Sequence, residues 1–536
     1  MRKFNCTGPC YPDEHYYIRR DEIMEKVKEM IDEGAYFVVY APRQMGKTTL
    51  LENMLFELER ENPDFIGILV DFEIYKSQTP EAFYENFSEK LTEQLFKRCY
   101  EINLQKADEL VKHLASFSVQ DVLGFEKYVR TITQIIPEYR LSIVIDEFEG
   151  CPDEAMKDFL HILRSFYLSK KRNKNLRNLN FVLIGIRDLT RLTVGTISPF
   201  NIAQHLYLAN FSMVEVLQLY GQYTLETGQL FSDEAVFFIY EQTRGQPFLV
   251  NRFGIILTEE INIDKRETMT LQHAKEALRK ILCETNNNFK TMLIHAQENR
   301  EAILKIIAGW QLTYDEDNPL VTDLWNYGLI QEEGGVCVVN NPIYQSKILS
   351  AFRPTRNEID QLWQSIGPET LELENFYSGN VVRMDVLIEN FKIFMDRIGL
   401  NLFRITQNPQ EIVGQFLLAS FIDLAITNIG GTTYVEVPTG IGRMDIIALA
   451  RDKKYIIETK LWTGEKNYQT GLLQISDYMR KESVHEGYYV VFDPNLNGNE
   501  KELEKGCYSF YEYVDDAQVT VFIIRIKPKP SSILGL

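Results

Sequence analysis

The chain has 536 residues, of which 45% are hydrophobic and 25% are charged, a composition typical of soluble globular proteins with about two to four domains. Its net charge of −19 argues against nonspecific nucleic-acid binding over the whole surface, and its seven cysteines are too scattered for a disulfide framework. The first residues lack a signal-peptide core and no stretch has the apolar length of a membrane span, so we predict a cytoplasmic protein without membrane contact.

The first informative segment combines an amphipathic helix, predicted within residues 16–34, with an apolar run, a tight loop and another helix. Ala41 to Thr48 follows the phosphate-binding template GxxxxGK[ST], with alanine at the first glycine position. In such a loop Lys47 would reach the β- and γ-phosphates of a nucleotide, and the Thr48 hydroxyl would bind Mg²⁺. A chance Gly-Lys-Thr at a helix start is the alternative, which the strand–loop–helix context disfavours. The predicted nucleotide-binding residues of the loop are Pro42, Arg43, Gln44, Met45, Gly46, Lys47, Thr48 and Thr49.

Two later apolar runs end in polar residues that suit the same chemistry. The run at 141–147 ends in Asp146 and Glu147, as a Walker B strand does. Asp146 could hold the Mg²⁺ shell while Glu147 polarises the attacking water. The run at 180–187 ends in Arg187, a candidate sensor of the γ-phosphate. An arginine paired with a nearby acid is an equally weighted alternative for that position.

Together with the segments 198–202 and 243–248, these motifs resemble an AAA-type P-loop ATPase of the STAND-like branch. The resemblance implies a parallel-sheet ATPase core over residues 1–210 and a helical lid over 211–295, with ATP and Mg²⁺ as cofactors. It makes Pro247, the proline of a GxP signature, a candidate nucleotide contact, although proline also starts helices that bind nothing. It leaves open a homo-oligomer formed through the ATPase domain.

The character of the chain changes over residues 296–352. Two predicted helices precede a hairpin with Gly334-Gly335 at its turn. Helices followed by such a β-wing predict a winged helix. Lys and Arg are absent from the presumed recognition helix at 321–330, which favours a packing or protein-contact role over DNA binding. We interpret the polar stretch 353–384 as a connector.

A second chemical centre is predicted on a late β-hairpin. If residues 451–452 form its turn, positions whose numbers sum to 903 lie opposite each other, which places Asp445 opposite Glu458 (445 + 458 = 903) with Lys460 on the same face. Opposed like charges destabilise a sheet unless a cation joins them, so we predict Mg²⁺ or Mn²⁺ bound by both carboxylates and the Thr459 carbonyl. Lys460 would orient or deprotonate a nucleophile. An exposed hairpin with a Glu458–Lys460 salt bridge is the alternative.

Two flanking residues strengthen this interpretation. Glu411 opens a predicted helix and could add a metal ligand, and Gln474 lies on a helix face that could contact backbone phosphate. The D…ExK pattern with these flanks resembles the PD-(D/E)XK nuclease superfamily, which implies a restriction-endonuclease-like α/β domain over 385–536. The implied partner is nucleic acid, with DNA favoured over RNA. From residue 401 onward 14 Lys and Arg stand against 17 Asp and Glu, a net charge of only −3 (14 − 17), so a polyanion would dock here.

The sequence therefore predicts an α/β multidomain protein that acts as an ATP-regulated, metal-dependent nuclease. A role in defence against foreign DNA follows by analogy of architecture alone. The alternative is a nucleotide-dependent signalling or scaffold switch whose nuclease-like domain binds without cleaving. The predicted catalytic residues are Glu147, Glu411, Asp445, Glu458, Lys460 and Gln474.

Overall fold

The computed structural model describes residues 1–102, 104, 106–115, 117–186, 202–353, 373–379, 381–397, 411–438, 443–450, 453–493, 507–514 and 517–525. The chain divides into two compact units. The first is Met1–Met269 with Asn326–Gly328, and the second is Thr270–Trp325 with Leu329–Leu536. Among the helices described, none has the length and apolar character needed to cross a membrane.

The first unit is built on a parallel sheet with the strand order β2-β3-β4-β1-β5. The strands are β1 (Phe37–Tyr40), β2 (Phe65–Asp71), β3 (Arg140–Asp146), β4 (Leu179–Gly185) and β5 (Gln204–Tyr207). The helices are α1 (Asp21–Asp32), α2 (Lys47–Glu61), α3 (Pro80–Glu101), α4 (Ala107–Leu114), α5 (Val122–Ile135), α6 (Asp153–Ser169), α7 (Met213–Thr227), α8 (Asp233–Thr243) and α9 (Pro247–Ile255). A π-helix continues α9 over Ile256–Ile261.

Helices cover both faces of this sheet, which is why β1 to β4 are mostly apolar, whereas the edge strand β5 begins with exposed Gln204 and His205. Successive residues of β1 point to opposite faces, so Val38 packs in a cluster with residues of α3, α5 and α6, whereas Val39 packs with residues of α1 and α2. The predicted α/β core with a parallel sheet is confirmed. Because all strands run the same way, their carboxyl ends lie at one edge, where Tyr40, Asp146 and Gly185 end three neighbouring strands.

The second unit begins with helices and a small hairpin. Its helices are α10 (Leu271–Cys283), α11 (Asn287–Glu298), α12 (Arg300–Ile307), α13 (Pro319–Asn326), α14 (Pro342–Ala351), α15 (Met384–Arg397), α16 (Glu411–Asn428) and α17 (Glu465–Glu482). The hairpin pairs β6 (Ile330–Glu333) with β7 (Val336–Val339), and both turn residues, Gly334 and Gly335, have positive φ. This hairpin and the helices before it are as predicted, while their interpretation as a winged helix stays a prediction.

A six-stranded sheet forms the rest of the second unit, in the order β10-β11-β12-β13-β15-β14. Its strands are β10 (Thr432–Pro438), β11 (Arg443–Ala450), β12 (Lys453–Leu461), β13 (Glu486–Asp493), β14 (Cys507–Val514) and β15 (Ala517–Arg525), and a two-residue ladder pairs β8 (Tyr377–Ser378) with β9 (Val381–Val382). β12, β13 and β15 are parallel neighbours, and the outer pairs are antiparallel. Helix α17 packs on one face through Ile475 and Met479, whereas Gly414 of α16 lies against Phe492.

Candidate nucleotide site and carboxylate cluster

The predicted phosphate-binding loop lies between β1 and α2. Gln44 (φ 59°) and Gly46 (φ 85°) have left-handed backbones, which turn the chain sharply so that α2 begins at Lys47. Lys47 is 6% exposed and its Nζ donates to the carbonyls of Ala41 and Pro42, at 2.8 and 2.9 Å. Burial lowers the pKa of Lys47, against the effect of nearby carboxylates. These two hydrogen bonds hold the ammonium at the phosphate-binding loop, next to the N-terminus of α2.

Asp146 and Thr48 meet at the carboxyl edge of the sheet. Asp146 Oδ2 accepts a hydrogen bond from Thr48 Oγ1 at 2.5 Å, and its Oδ1 accepts one from the Glu147 N–H at 2.9 Å. Burial raises the pKa of Asp146, although both hydrogen bonds favour the ionised form. A hydroxyl and a carboxylate side by side are hard oxygen donors that fit Mg²⁺. These two residues would hold the ion that the sequence predicted.

Glu147 follows in an unusual conformation. Its φ of 46° lies in the left-handed region, which costs a non-glycine residue about 1–3 kcal/mol and is concentrated at functional sites. Burial raises the pKa of Glu147, while the charges of Lys47 and Arg43 oppose that shift. A carboxylate with a raised pKa beside a phosphate site is suited to accept a proton from water.

The N-terminal segment forms much of the site, which the sequence did not indicate. A cavity of about 290 Å³ opens between the phosphate loop, the segment before α1 and the start of α9. Pro247 lines it, as the resemblance implied. The lining that was not predicted includes Asn5, Cys6, Tyr16, Arg20, Phe211 and Asn251. Cys10 joins the segment to α2, because its N–H donates to Thr49 Oγ1 at 3.0 Å and its carbonyl accepts from Asn53 Nδ2 at 2.9 Å.

Arg20 directly precedes α1, which begins at Asp21, within the predicted range. Its backbone is left-handed (φ 56°), and its guanidinium lies 3.0 Å from Glu215 and 4.8 Å from the Phe211 ring centre. Burial lowers the pKa of Arg20, and Glu215 opposes that shift. The guanidinium at the cavity wall is thus paired with Glu215, and the aromatic ring of Phe211 beside it suits a planar base.

The late hairpin has the predicted register. Ile446 lies opposite Ile457 and Ala450 opposite Lys453, so paired numbers sum to 903 (446 + 457) and that prediction is confirmed. The proposed turn, 451–452, lies outside the described residues. Asp445 and Glu458 directly adjoin the last pair of this ladder, Ile446 and Ile457, and they are 9% and 1% exposed.

The structure brings five predicted residues together at the end of β12. Lys460 Nζ donates to Glu458 Oε1 at 3.0 Å and to the Thr459 carbonyl at 3.1 Å, and it lies 3.5 Å from Glu411 Oε1. Asp445 Oδ2 accepts from the Thr459 N–H at 2.6 Å and from Thr459 Oγ1 at 2.7 Å. Glu411 begins α16, so a helix N-terminus, two strands and a lysine converge on one point.

The cluster is electrostatically strained. Burial raises the pKa of Asp445 to about 6 and that of Glu458 well above its usual range. The charge of Glu411 also raises both pKa values, and that of Asp445 raises the pKa of Glu458. Burial would lower the pKa of Lys460, but the three acids raise it. Such an arrangement gains from additional positive charge.

Two buried side-chain oxygens test whether a metal fits here. Within the described part of the chain, Glu458 Oε2 and Gln474 Oε1 accept no hydrogen bond. A divalent cation would satisfy this oxygen of Glu458, whereas Asp445 Oδ2 and the Thr459 carbonyl already accept hydrogen bonds. No set of three or more His, Cys, Asp or Glu side chains in the described ranges is placed to hold a metal. Arg187 and most of the segment 198–202 lie outside the described residues.

A family model described as the AAA-like domain matches residues 6–348. The chain therefore belongs to the AAA-like domain family. Solved structures similar to it include the Walker-type ATPase PABY2304 of Pyrococcus abyssi, with 16% identity, a TM-score of 0.45, and coverage of 64% of this chain and 99% of that one. Another is the RuvB Holliday junction branch migration motor of Thermotoga maritima (12% identity, TM-score 0.34, 63% and 96% covered). A third is the ORC1 protein of Aeropyrum pernix in complex with DNA (12%, 0.32, 63% and 94%).

No curated protein matches the chain. The match to the AAA-like family contains the phosphate loop, Asp146, Glu147 and Pro247, so an ATPase-like P-loop domain is established for this part of the chain. The match ends at residue 348, within α14. The carboxylate cluster of this AAA-like protein thus lies entirely beyond the family region.

Proposed function

We propose that this protein is an ATP-regulated, metal-dependent nuclease. The observation that carries the proposal is the buried cluster of Asp445, Glu458, Glu411 and Lys460 beyond a complete P-loop site. A fold has no need of three acids around one buried lysine, because replacing buried charges with apolar residues is often neutral or stabilising. The cluster is better explained by chemistry than by stability.

The P-loop site would bind Mg-ATP. The loop N–H groups and Lys47 would contact the phosphates, and Thr48 and Asp146 would hold Mg²⁺, which neutralises charge on the phosphate oxygens. Glu147 would accept a proton from the attacking water. Arg187 remains the proposed sensor of the γ-phosphate. A homo-oligomer through this domain is compatible with the proposal.

The carboxylate cluster would cleave a phosphodiester bond. Asp445, Glu458 and the Thr459 carbonyl would hold Mg²⁺ or Mn²⁺, which lowers the pKa of bound water. Lys460 would orient the nucleophile, Glu411 would hold Lys460, and Gln474 on α17 would contact the substrate backbone. The substrate would be nucleic acid, DNA before RNA, and foreign DNA is one substrate of this class. The β6–β7 hairpin and its helices would act as a winged helix in protein contact.

The decisive experiment is a cleavage assay. Plasmid, linear DNA and RNA are each incubated with the full chain, with Mg²⁺ or Mn²⁺, and with ATP or no nucleotide. We expect metal-dependent cleavage that Asp445→Ala abolishes, and an ATP effect that Lys47→Ala removes while metal-dependent cleavage persists. Absence of cleavage of every substrate under all conditions would reject the nuclease.

A non-cleaving switch is the second candidate, and one observation favours it. Lys460 already pairs with two acids and Asp445 Oδ2 accepts two hydrogen bonds from Thr459, so the cluster could be a polar network that only orders the hairpin. In that case the Glu458→Gln/Lys460→Ala double variant would keep full activity in cells. Loss of that activity with the fold intact would exclude this second candidate.

A further inference from the structure

One peptide group joins the phosphate-binding loop to the turn after the paired acids. The carbonyl of Gly185, at the end of β4, accepts a hydrogen bond from the Ala41 N–H at 3.2 Å. On the other side of the same peptide, the Ile186 N–H donates to Glu149 Oε1 at 2.7 Å. Because β3 ends at Asp146, the Glu149 carboxylate supplies the acceptor that a longer β3 would have supplied.

The Glu149 carboxylate packs closely against Gly185 at the end of β4. A Cβ on Gly185 would lie 2.9 Å from Glu149 Cδ and closer still to Oε1, so only glycine leaves room for the carboxylate. A Cβ on Gly150, at the end of the turn, would overlap the Phe72 carbonyl that follows β2. The turn over Phe148–Gly150 is therefore held between the ends of β2 and β4.

This anchoring matters because of the residue that starts the turn. The left-handed conformation of Glu147 persists only where its surroundings enforce it. The phosphate loop has separate anchors, since Lys47 binds its carbonyls and α2 extends from it. Release of Glu149 would consequently loosen the turn that bears Glu147 and leave the loop in place.

We propose that Glu149 is a positioning residue for the ATP hydrolysis proposed above, on which this inference rests. Through the Gly185–Ile186 peptide it holds Glu147 at a set distance from the phosphate-binding loop. The role needs the hydrogen-bond acceptor of Glu149, which a glutamine would keep. Loss of this anchor should therefore lower the rate of hydrolysis and leave nucleotide affinity nearly unchanged.

Four variants test this role in the full chain. Glu149→Ala should lower kcat for Mg-ATP by about 10- to 100-fold, as expected for a displaced catalytic group, with little change in the nucleotide dissociation constant. Glu149→Gln keeps an acceptor for the Ile186 N–H and should recover most of that rate. Glu154→Ala removes an exposed glutamate of α6 nearby and is the matched control. Gly185→Ala should displace the carboxylate and match Glu149→Ala.

The Gly185→Ala/Glu149→Ala double variant should be no worse than Glu149→Ala, because the added methyl takes the room left by the carboxylate. Additive losses, or Glu149→Gln as defective as Glu149→Ala, would overturn the inference. Hydrogen exchange gives a second measurement that needs no activity: Glu149→Ala should speed exchange at the Ile186 amide and Glu154→Ala should not. A wild-type protein that hydrolyses no ATP would reject the proposed hydrolysis, whereas unchanged Ile186 exchange in Glu149→Ala would reject the anchor itself.

Discussion

The partly buried side chain of Lys170 should make the stability of the fold depend on pH. Its Nζ donates to the Gly34 carbonyl and lies 4.5 Å from the Tyr36 ring centre, and burial lowers its pKa to about 7 from the usual 10.5. Between these two values the unfolded chain binds more protons than the folded chain, so stability should rise with pH from 7 towards 10.5. Lowering the pKa by one corresponds to about 1.4 kcal/mol in the free energy of unfolding.

Thermal unfolding of wild type and Lys170→Met at about pH 7 and pH 9 measures this effect. We expect the wild-type Tm to gain more than the variant between the two values, because methionine has no proton to lose. Lys171→Met removes the exposed neighbour and should keep the wild-type gain. Equal gains in Lys170→Met and wild type would show that the lysine is not kept neutral by burial.

The corner between α8 and α9 is an element whose geometry depends on one glycine. Gly245 has φ 73°, and a Cβ there would collide with the Phe211 carbonyl. The Phe211 N–H donates to the Gly245 carbonyl at 2.8 Å, so the two backbones lie in direct contact. Gly245→Ala should therefore destabilise the first unit by about 2 kcal/mol or more. Gly221→Ala, where a Cβ in α7 meets nothing within 4 Å, should be neutral or slightly stabilising. Denaturant unfolding compares them, and equal midpoints would contradict the argument.

The elements also show what a sequence can predict. The β11–β12 register was predicted from a proposed two-residue turn and a side-chain period of two, and the Ile446–Ile457 pair confirms that register. The phosphate loop was predictable because its glycine, lysine and threonine act within eight residues. By contrast, the guanidinium of Arg20 contacts Glu215 and Phe211, almost 200 positions away, and no local pattern contains that contact. The cavity lining from Asn5 to Tyr17 was missed for the same reason.

For the whole molecule, the proposed nucleotide and metal sites belong to different compact units, so each ligand should protect its own unit first. A ligand at 100 times its dissociation constant adds about 2.7 kcal/mol to the unit that binds it. Hydrogen exchange of the full chain should show ATP with Mg²⁺ protecting α2 and the Cys10 segment, and Mn²⁺ alone protecting β11 and β12. Lys47→Ala should remove the first pattern only, and Asp445→Ala the second only.

If ATP also protects β11 and β12 in wild type but not in Lys47→Ala, nucleotide binding is coupled to the carboxylate cluster, which regulation requires. Protection confined to the first unit would leave cleavage without ATP control, and the regulatory half of the proposal would fail while the nuclease half stood.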